Sequence, residues 1–149
     1  PRVAWGESPP WPYGEDPAHV YRGAIQNLGT LLMREYLGKH AAVLAQAAQT
    51  PLPLNDALKA LYPTWEAQFT ALFCAAAVAL YLEDHVNIRE ANAFALMERK
   101  ARGIDILPAA ISVLRRYRGD LATGKYRELA DFLPMFPKQL KLATRIKAL

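Results

Sequence analysis

The chain has 149 residues, 52% of them hydrophobic and 21% charged, with a formal net charge of +4. That is one domain's worth of chain with globular composition, which excludes a disordered segment and leaves room for a genuine core. A single cysteine, Cys74, excludes an intramolecular disulfide.

With no disulfide framework and no signal-peptide pattern, a cytoplasmic protein is expected. Charge is unevenly spread. Residues 1–90 hold six Lys/Arg against nine Asp/Glu, a net of −3, whereas residues 91–149 hold twelve against five, a net of +7. Basic surface attracts phosphates, anionic lipids or acidic proteins, and composition does not choose among them.

Five of the eleven prolines fall at positions 1, 9, 10, 12 and 17, with Trp5, Trp11 and Tyr13 between them. Proline at this density forbids a helix and predicts an extended arm over 1–16. Its aromatics imply contact with apolar surface, either the domain's own or a partner's, and make Trp5, Trp11 and Tyr13 the candidate partner-binding residues. The remainder, 17–149, reads as one helical domain.

Asp16-Pro17 is a helix start, with Asp as N-cap and Pro at the first helical position. The helix is expected to run to about residue 49, with Val20, Ala24, Leu28 and Leu31 on one apolar stripe and Tyr21, Ile25, Leu32 and Tyr36 beside it. Gly38 invites a break. Pro51 and Pro53 end the helix, Asn55 caps a short one over 56–61, and Pro63 forces another boundary.

Residues 71–82, ALFCAAAVALYL, are apolar on every side. Only Glu66, Gln68 and Thr70 interrupt the run when it is extended back to Trp65. Such a segment belongs in the middle of a core. It predicts a buried central helix over about 64–85, with Cys74 as a small buried hydrophobe. Twelve residues rise about 18 Å as a helix, short of the roughly 20 residues a bilayer requires, so no membrane span is expected.

Asn87 followed by Glu90 is a capping-box pattern for a helix over 88–102, closed by Gly103. Its expected core stripe is Ile88, Ala91 and Ala95 with Phe94, Met97 and Ala101. Pro108 starts a helix ending near Gly119, with Ile111, Val113 and Leu114 inward. A short helix over 125–133 and a last one from Pro137 follow, the latter with Leu142, Ile146 and Leu149 at i, i+4 and i+7. No stretch alternates as a strand would. The fold class is all-α, a single-domain bundle of six or seven helices.

Catalytic motifs are thin. Residues 119–125, GDLATGK, have the spacing of a phosphate-binding loop, but Tyr126 replaces the Mg²⁺-binding hydroxyl and a helix rather than a strand precedes them. His19, His40 and His85 are far apart, and Glu83-Asp84-His85 reads as a helix-end charge cluster, so no metal site is implied. Ser8 and Ser112 sit in no nucleophile elbow. A non-catalytic protein without cofactors is the expectation.

The basic segment remains. Arg99, Lys100 and Arg102 end one helix; Arg115, Arg116 and Arg118 end the next; Lys125 and Arg127 follow. On the last helix Lys138, Lys141 and Arg145 form one cationic stripe. Arg grips phosphate bidentately, and Tyr117 and Tyr126, interleaved with these cations, could stack on unpaired bases. With no sequence-reading motif present, these residues predict binding to the backbone of single-stranded RNA or DNA with little base discrimination.

In size, helix content and lack of catalytic motifs, the body from about Asp16 onward resembles the small helical subunits of CRISPR RNA-guided surveillance complexes. That resemblance is architectural. It implies a subunit in antiviral defence that lines a target strand, binds its backbone, contacts other protein subunits and recurs in repeated copies. Two other readings fit the charge: an adaptor whose basic face receives an acidic partner, and a peripheral membrane protein using the helix over 137–149. The latter lacks Trp or Phe on its apolar face.

Overall fold

The computed structural model describes residues 17–147. The expected arm, with Trp5, Trp11 and Tyr13, lies outside the described residues, as do the Asp16 cap and Leu149. Eight α-helices occur among the described residues: α1 (Pro17–Lys39), α2 (Ala41–Ala48), α3 (Asp56–Leu61), α4 (Trp65–His85), α5 (Ile88–Arg102), α6 (Leu107–Ala122), α7 (Leu129–Phe132) and α8 (Phe136–Lys147). A 3-10 turn, Leu133–Met135, joins the last two. No strand occurs among the described residues. The chain is an all-α, single-domain bundle.

Helix α4 is its axis. Thr64 caps it, the hydroxyl accepting from the Ala67 N–H at 3.1 Å. Helices α1, α5 and α6 all pack against it. By length and composition alone α4 could cross a membrane, but here Phe69, Leu72, Val78, Leu80 and Leu82 are buried among the neighbouring helices. Each such side chain taken out of water contributes about 1.5–3 kcal/mol. Toward its N-terminal end α4 meets α6, α8, the α2–α3 connection with buried Leu52 and Leu54, and Leu58 of α3; toward its C-terminal end it meets Ala91 and Phe94 of α5 and Ile25 of α1.

Aromatic rings knit the first of these regions. Phe69 stacks on Trp65 at 5.3 Å between centroids and meets the Phe136 edge at 4.8 Å. Phe132 continues the chain between Phe136 and Tyr117, stacking on the latter at 4.6 Å. Offset and edge-on contacts of this kind add about 0.5–1.5 kcal/mol each beyond area.

The local punctuation follows expectation. The helix breaks at His40, just past Gly38. Asn55 caps α3, its side-chain oxygen accepting from the Leu58 N–H at 2.9 Å. Asn87 caps α5 through the Glu90 N–H at 2.9 Å. Gly103 ends α5 at φ 66°, the left-handed conformation that a Cβ would strain.

The facing of three helices differs from expectation. On α1 the inward residues are Met33 and Leu37, with Ile25 and Tyr36 against the core, while Leu28 and Leu31 from the expected stripe are exposed, with Tyr21 and Leu32 beside them. Gly29 lies on the inward side: a Cβ there would stand 3.3 Å from the Cys74 Sγ, so the missing side chain lets α1 settle on α4 at this point. On α5 the buried residues are Ala91, Phe94 and Glu98, and Ile88, Met97 and Ala101 face out. On α8 Phe136, Pro137 and Leu140 turn inward, leaving Leu142 52% and Ile146 59% exposed.

Two boundaries also shift. Helix α6 continues through Gly119 and Asp120 to Ala122, so the phosphate-loop spacing falls mainly on a helix end. Residues 125–128 stay out of the short helix because Tyr126 packs between Tyr117 and Phe132, and the Asp131 carboxylate accepts from the Arg127 and Glu128 N–H groups ahead of α7.

Candidate nucleic-acid interface

The basic residues gather around α6, which lies between α5 and α8. One groove runs between α5 and α6 with a volume of about 260 Å³, and its walls include Ile88, Leu96, Arg99 and Arg115. A second, of about 220 Å³, runs between α6 and α8 and is lined by Arg116, Leu142 and Ile146 among others. Ser112 faces both grooves. Helix α6 carries Arg115, Arg116 and Arg118 in its C-terminal half.

Four of the expected strand-binding cations already hold carboxylates. Arg115 pairs with Glu83 and Arg118 with Asp84, each at 2.6 Å. Lys125 pairs with Asp120 at 2.8 Å, a contact that raises the lysine's pKa above its ordinary value. Arg102 pairs with Glu98 at 2.7 Å and hydrogen-bonds the Tyr62 hydroxyl. Burial works against the Arg102 charge, and the Tyr62 and Glu98 contacts more than offset it, raising its pKa. This guanidinium faces a cavity between α1 and α4 rather than the α6 grooves.

Arg99, Lys100, Arg116, Arg127, Lys138, Lys141 and Arg145 are exposed and carry no ion pair among the described residues. Arg116 lies near enough to Lys125 to oppose its charge. On α8 Lys138, Lys141 and Arg145 form the expected stripe, and the exposed Leu142 and Ile146 run directly beside it along the groove. Gln139 adds a buried side-chain oxygen on the same wall with no hydrogen-bond partner among the described residues.

The tyrosines do not serve as a stacking platform. Tyr117 is buried against Phe132, and burial raises its pKa. Tyr126 is half-buried between the same rings. Both rings pack on Phe132, which turns their faces toward the domain. The acids that pair with Arg115 and Arg118 carry no signal of that pairing in the sequence. Glu83 and Asp84 were legible as a charged helix end, but nothing in their spacing says that they meet α6.

No group of three or more His, Cys, Asp or Glu side chains among the described residues could hold a metal ion. Comparison of the chain with protein-family models, with curated proteins and with solved structures finds no match.

Proposed function

We propose that this chain is a helical subunit of a nucleoprotein assembly that binds single-stranded nucleic acid by its backbone, in the manner of the strand-lining subunits of RNA-guided complexes. The observation that carries the reading is the run of unpaired cations from Arg116 across the α6–α8 groove to Lys138, Lys141 and Arg145. Cations already neutralised by carboxylates gain little from a phosphate. Unpaired ones gain the counterion release that drives such binding. Leu142 and Ile146 offer apolar contact beside the stripe, so a base leaving its stack would meet aliphatic surface rather than a tyrosine.

The exposed row of Tyr21, Leu28, Leu31 and Leu32 on α1 supports the assembly part. Apolar side chains gathered on one helix face favour protein contact, with another subunit or with a second copy.

Fluorescence anisotropy with labelled single-stranded RNA and DNA tests the reading. Binding should be indifferent to base sequence and should weaken steeply between low and moderate salt. Absence of binding at low salt would remove it and favour the adaptor, whose basic face would receive an acidic protein and ignore oligonucleotides.

A further inference from the structure

Two of the three polar residues that interrupt the apolar run of α4 make no side-chain hydrogen bond or ion pair among the described residues. Gln68 has one: its side-chain NH₂ donates to the Tyr62 carbonyl at 2.9 Å. Glu66 makes no ion pair and Thr70 makes no hydrogen bond among the described residues, although Thr70 is only 6% exposed. Both line one cavity of about 660 Å³ between α1 and α4, larger than either groove beside α6. Small-molecule sites commonly occupy about 300–1,000 Å³.

The opposite wall is equally unusual. Gln26, Thr30 and Arg34 stand at i, i+4 and i+8 on α1 and all face this space. Leu28, Leu31 and Leu32 of the same helix point outward. Helix α1 therefore presents polar side chains to the gap beside α4 where apolar packing would cost less. Nine of the twelve lining residues carry polar or charged heads; the other three, Ala67, Ala71 and Cys74, are small and leave the space open. Thr30 is the most constrained, its hydroxyl donating to the Gln26 carbonyl at 2.6 Å.

The cavity also has a fixed donor. Glu98, 9% exposed at its side chain, and the Tyr62 hydroxyl hold the Arg102 guanidinium on the wall. Held this way, Arg102 loses little freedom on meeting a ligand. Arg34 is exposed and has no partner among the described residues, so its charge remains available. A cavity with one unpaired guanidinium, amide donors, a free hydroxyl and the held Arg102 N–H groups suits a phosphate or carboxylate oxygen. The lone Glu66 carboxylate suits a hydroxyl or amine elsewhere on the same molecule.

We infer that the α1–α4 cavity binds a small polar molecule bearing a phosphate or carboxylate group, with the unpaired Arg34 on the anion, Arg102 as a fixed hydrogen-bond donor, and Thr70 and Glu66 on the polar remainder. This site is separate from the α6–α8 surface and stands or falls without it.

The test is an NMR titration of the full chain with inorganic phosphate, succinate and adenosine monophosphate, each at millimolar concentrations. At least one probe should give saturable shifts concentrated at the amides of residues 26–34 and 66–74. Succinate binding alone would identify a carboxylate ligand, and phosphate or nucleotide binding a phosphate ligand. Arg34→Ala changes an exposed side chain and should weaken the binding by about tenfold or more, the loss of a charged hydrogen bond. Thr70→Val keeps the volume and should also weaken it, while Arg116→Ala should leave it unchanged. Failure of all three probes to shift these amides, or weakening by Arg116→Ala instead of Arg34→Ala, would overturn the inference.

Discussion

The Arg115 guanidinium lies 2.6 Å from the Glu83 carboxylate, joining the end of the central helix to the helix at the middle of the basic surface. One turn further, Arg118 repeats the arrangement with Asp84. Between them Arg116 points to the other side of α6, into the groove beside α8. Three nearly consecutive arginines thus divide into two structural cations and one available cation.

That division predicts unequal effects on strand binding. Arg116→Ala should weaken the affinity and lower the magnitude of the salt-dependence slope by about one. Arg115→Ala and Arg118→Ala should do less, because each guanidinium must leave a surface pair worth up to about 1 kcal/mol to meet a phosphate. Anisotropy across a salt series measures all three. Equal losses would mean that the ion pairs open freely. Reversing all three charges together is a poorer experiment, since it sets new carboxylates against Glu83 and Asp84.

The contact between Gly29 and Cys74 predicts a coupled pair of substitutions. Alanine at 29 should gain up to about 1 kcal/mol of helix propensity, but its Cβ would stand 3.3 Å from the sulfur. In a Cys74→Ala background the sulfur is gone, so Gly29→Ala should be more favourable there than in the natural chain. Denaturant unfolding of the four proteins gives the coupling directly. Cys74→Ser alone should cost about 1 kcal/mol through burial of a poorly partnered hydroxyl, and an unchanged melting temperature would contradict the burial of Cys74.

Asn55 does more than cap α3. Its side-chain NH₂ also donates to the Gly103 carbonyl at 3.0 Å and to the Asp105 carboxylate at 3.1 Å, tying α3 to the α5–α6 turn. Asn55→Ala should therefore destabilise the domain by about 1–2 kcal/mol, the upper part of the range for a lost N-cap. Asn55→Asp keeps the capping oxygen but loses the donors and faces Asp105. It should also destabilise in urea unfolding; full stability of this variant would assign Asn55 to capping alone.

Alkaline pH should loosen the fold. Burial raises the Tyr36 and Tyr117 phenols above their ordinary value of 10.0 and the Cys74 thiol above 9.0. Each group holds its proton more tightly folded than unfolded. Their stabilisation is therefore complete below those ordinary values and is lost as pH rises through the raised folded ones. A melting-temperature series through the alkaline range should fall, and Tyr117→Phe should flatten part of the fall. An unchanged curve for that variant would show that Tyr117 does not titrate from the core.

The local chemistry of the chain was legible residue by residue. Thr64, Asn55 and Asn87 cap helices through their own side chains, and Gly103 ends one by its backbone freedom; none of these needs a distant partner. The apolar run over 71–82 likewise states its own burial, because no face of it could meet water cheaply. Tertiary structure decided which way the amphipathic helices turned. Leu28 and Leu31 of α1, Ile88 and Met97 of α5, and Leu142 and Ile146 of α8 are periodic enough to read as core, yet they face outward. The inward arc of a helix depends on how it meets its neighbour, and α1 meets α4 with Gly29 against Cys74. The same holds for charge: Arg115, Arg116 and Arg118 are alike in sequence, and only the end of α4 lying against α6 separates the paired from the free.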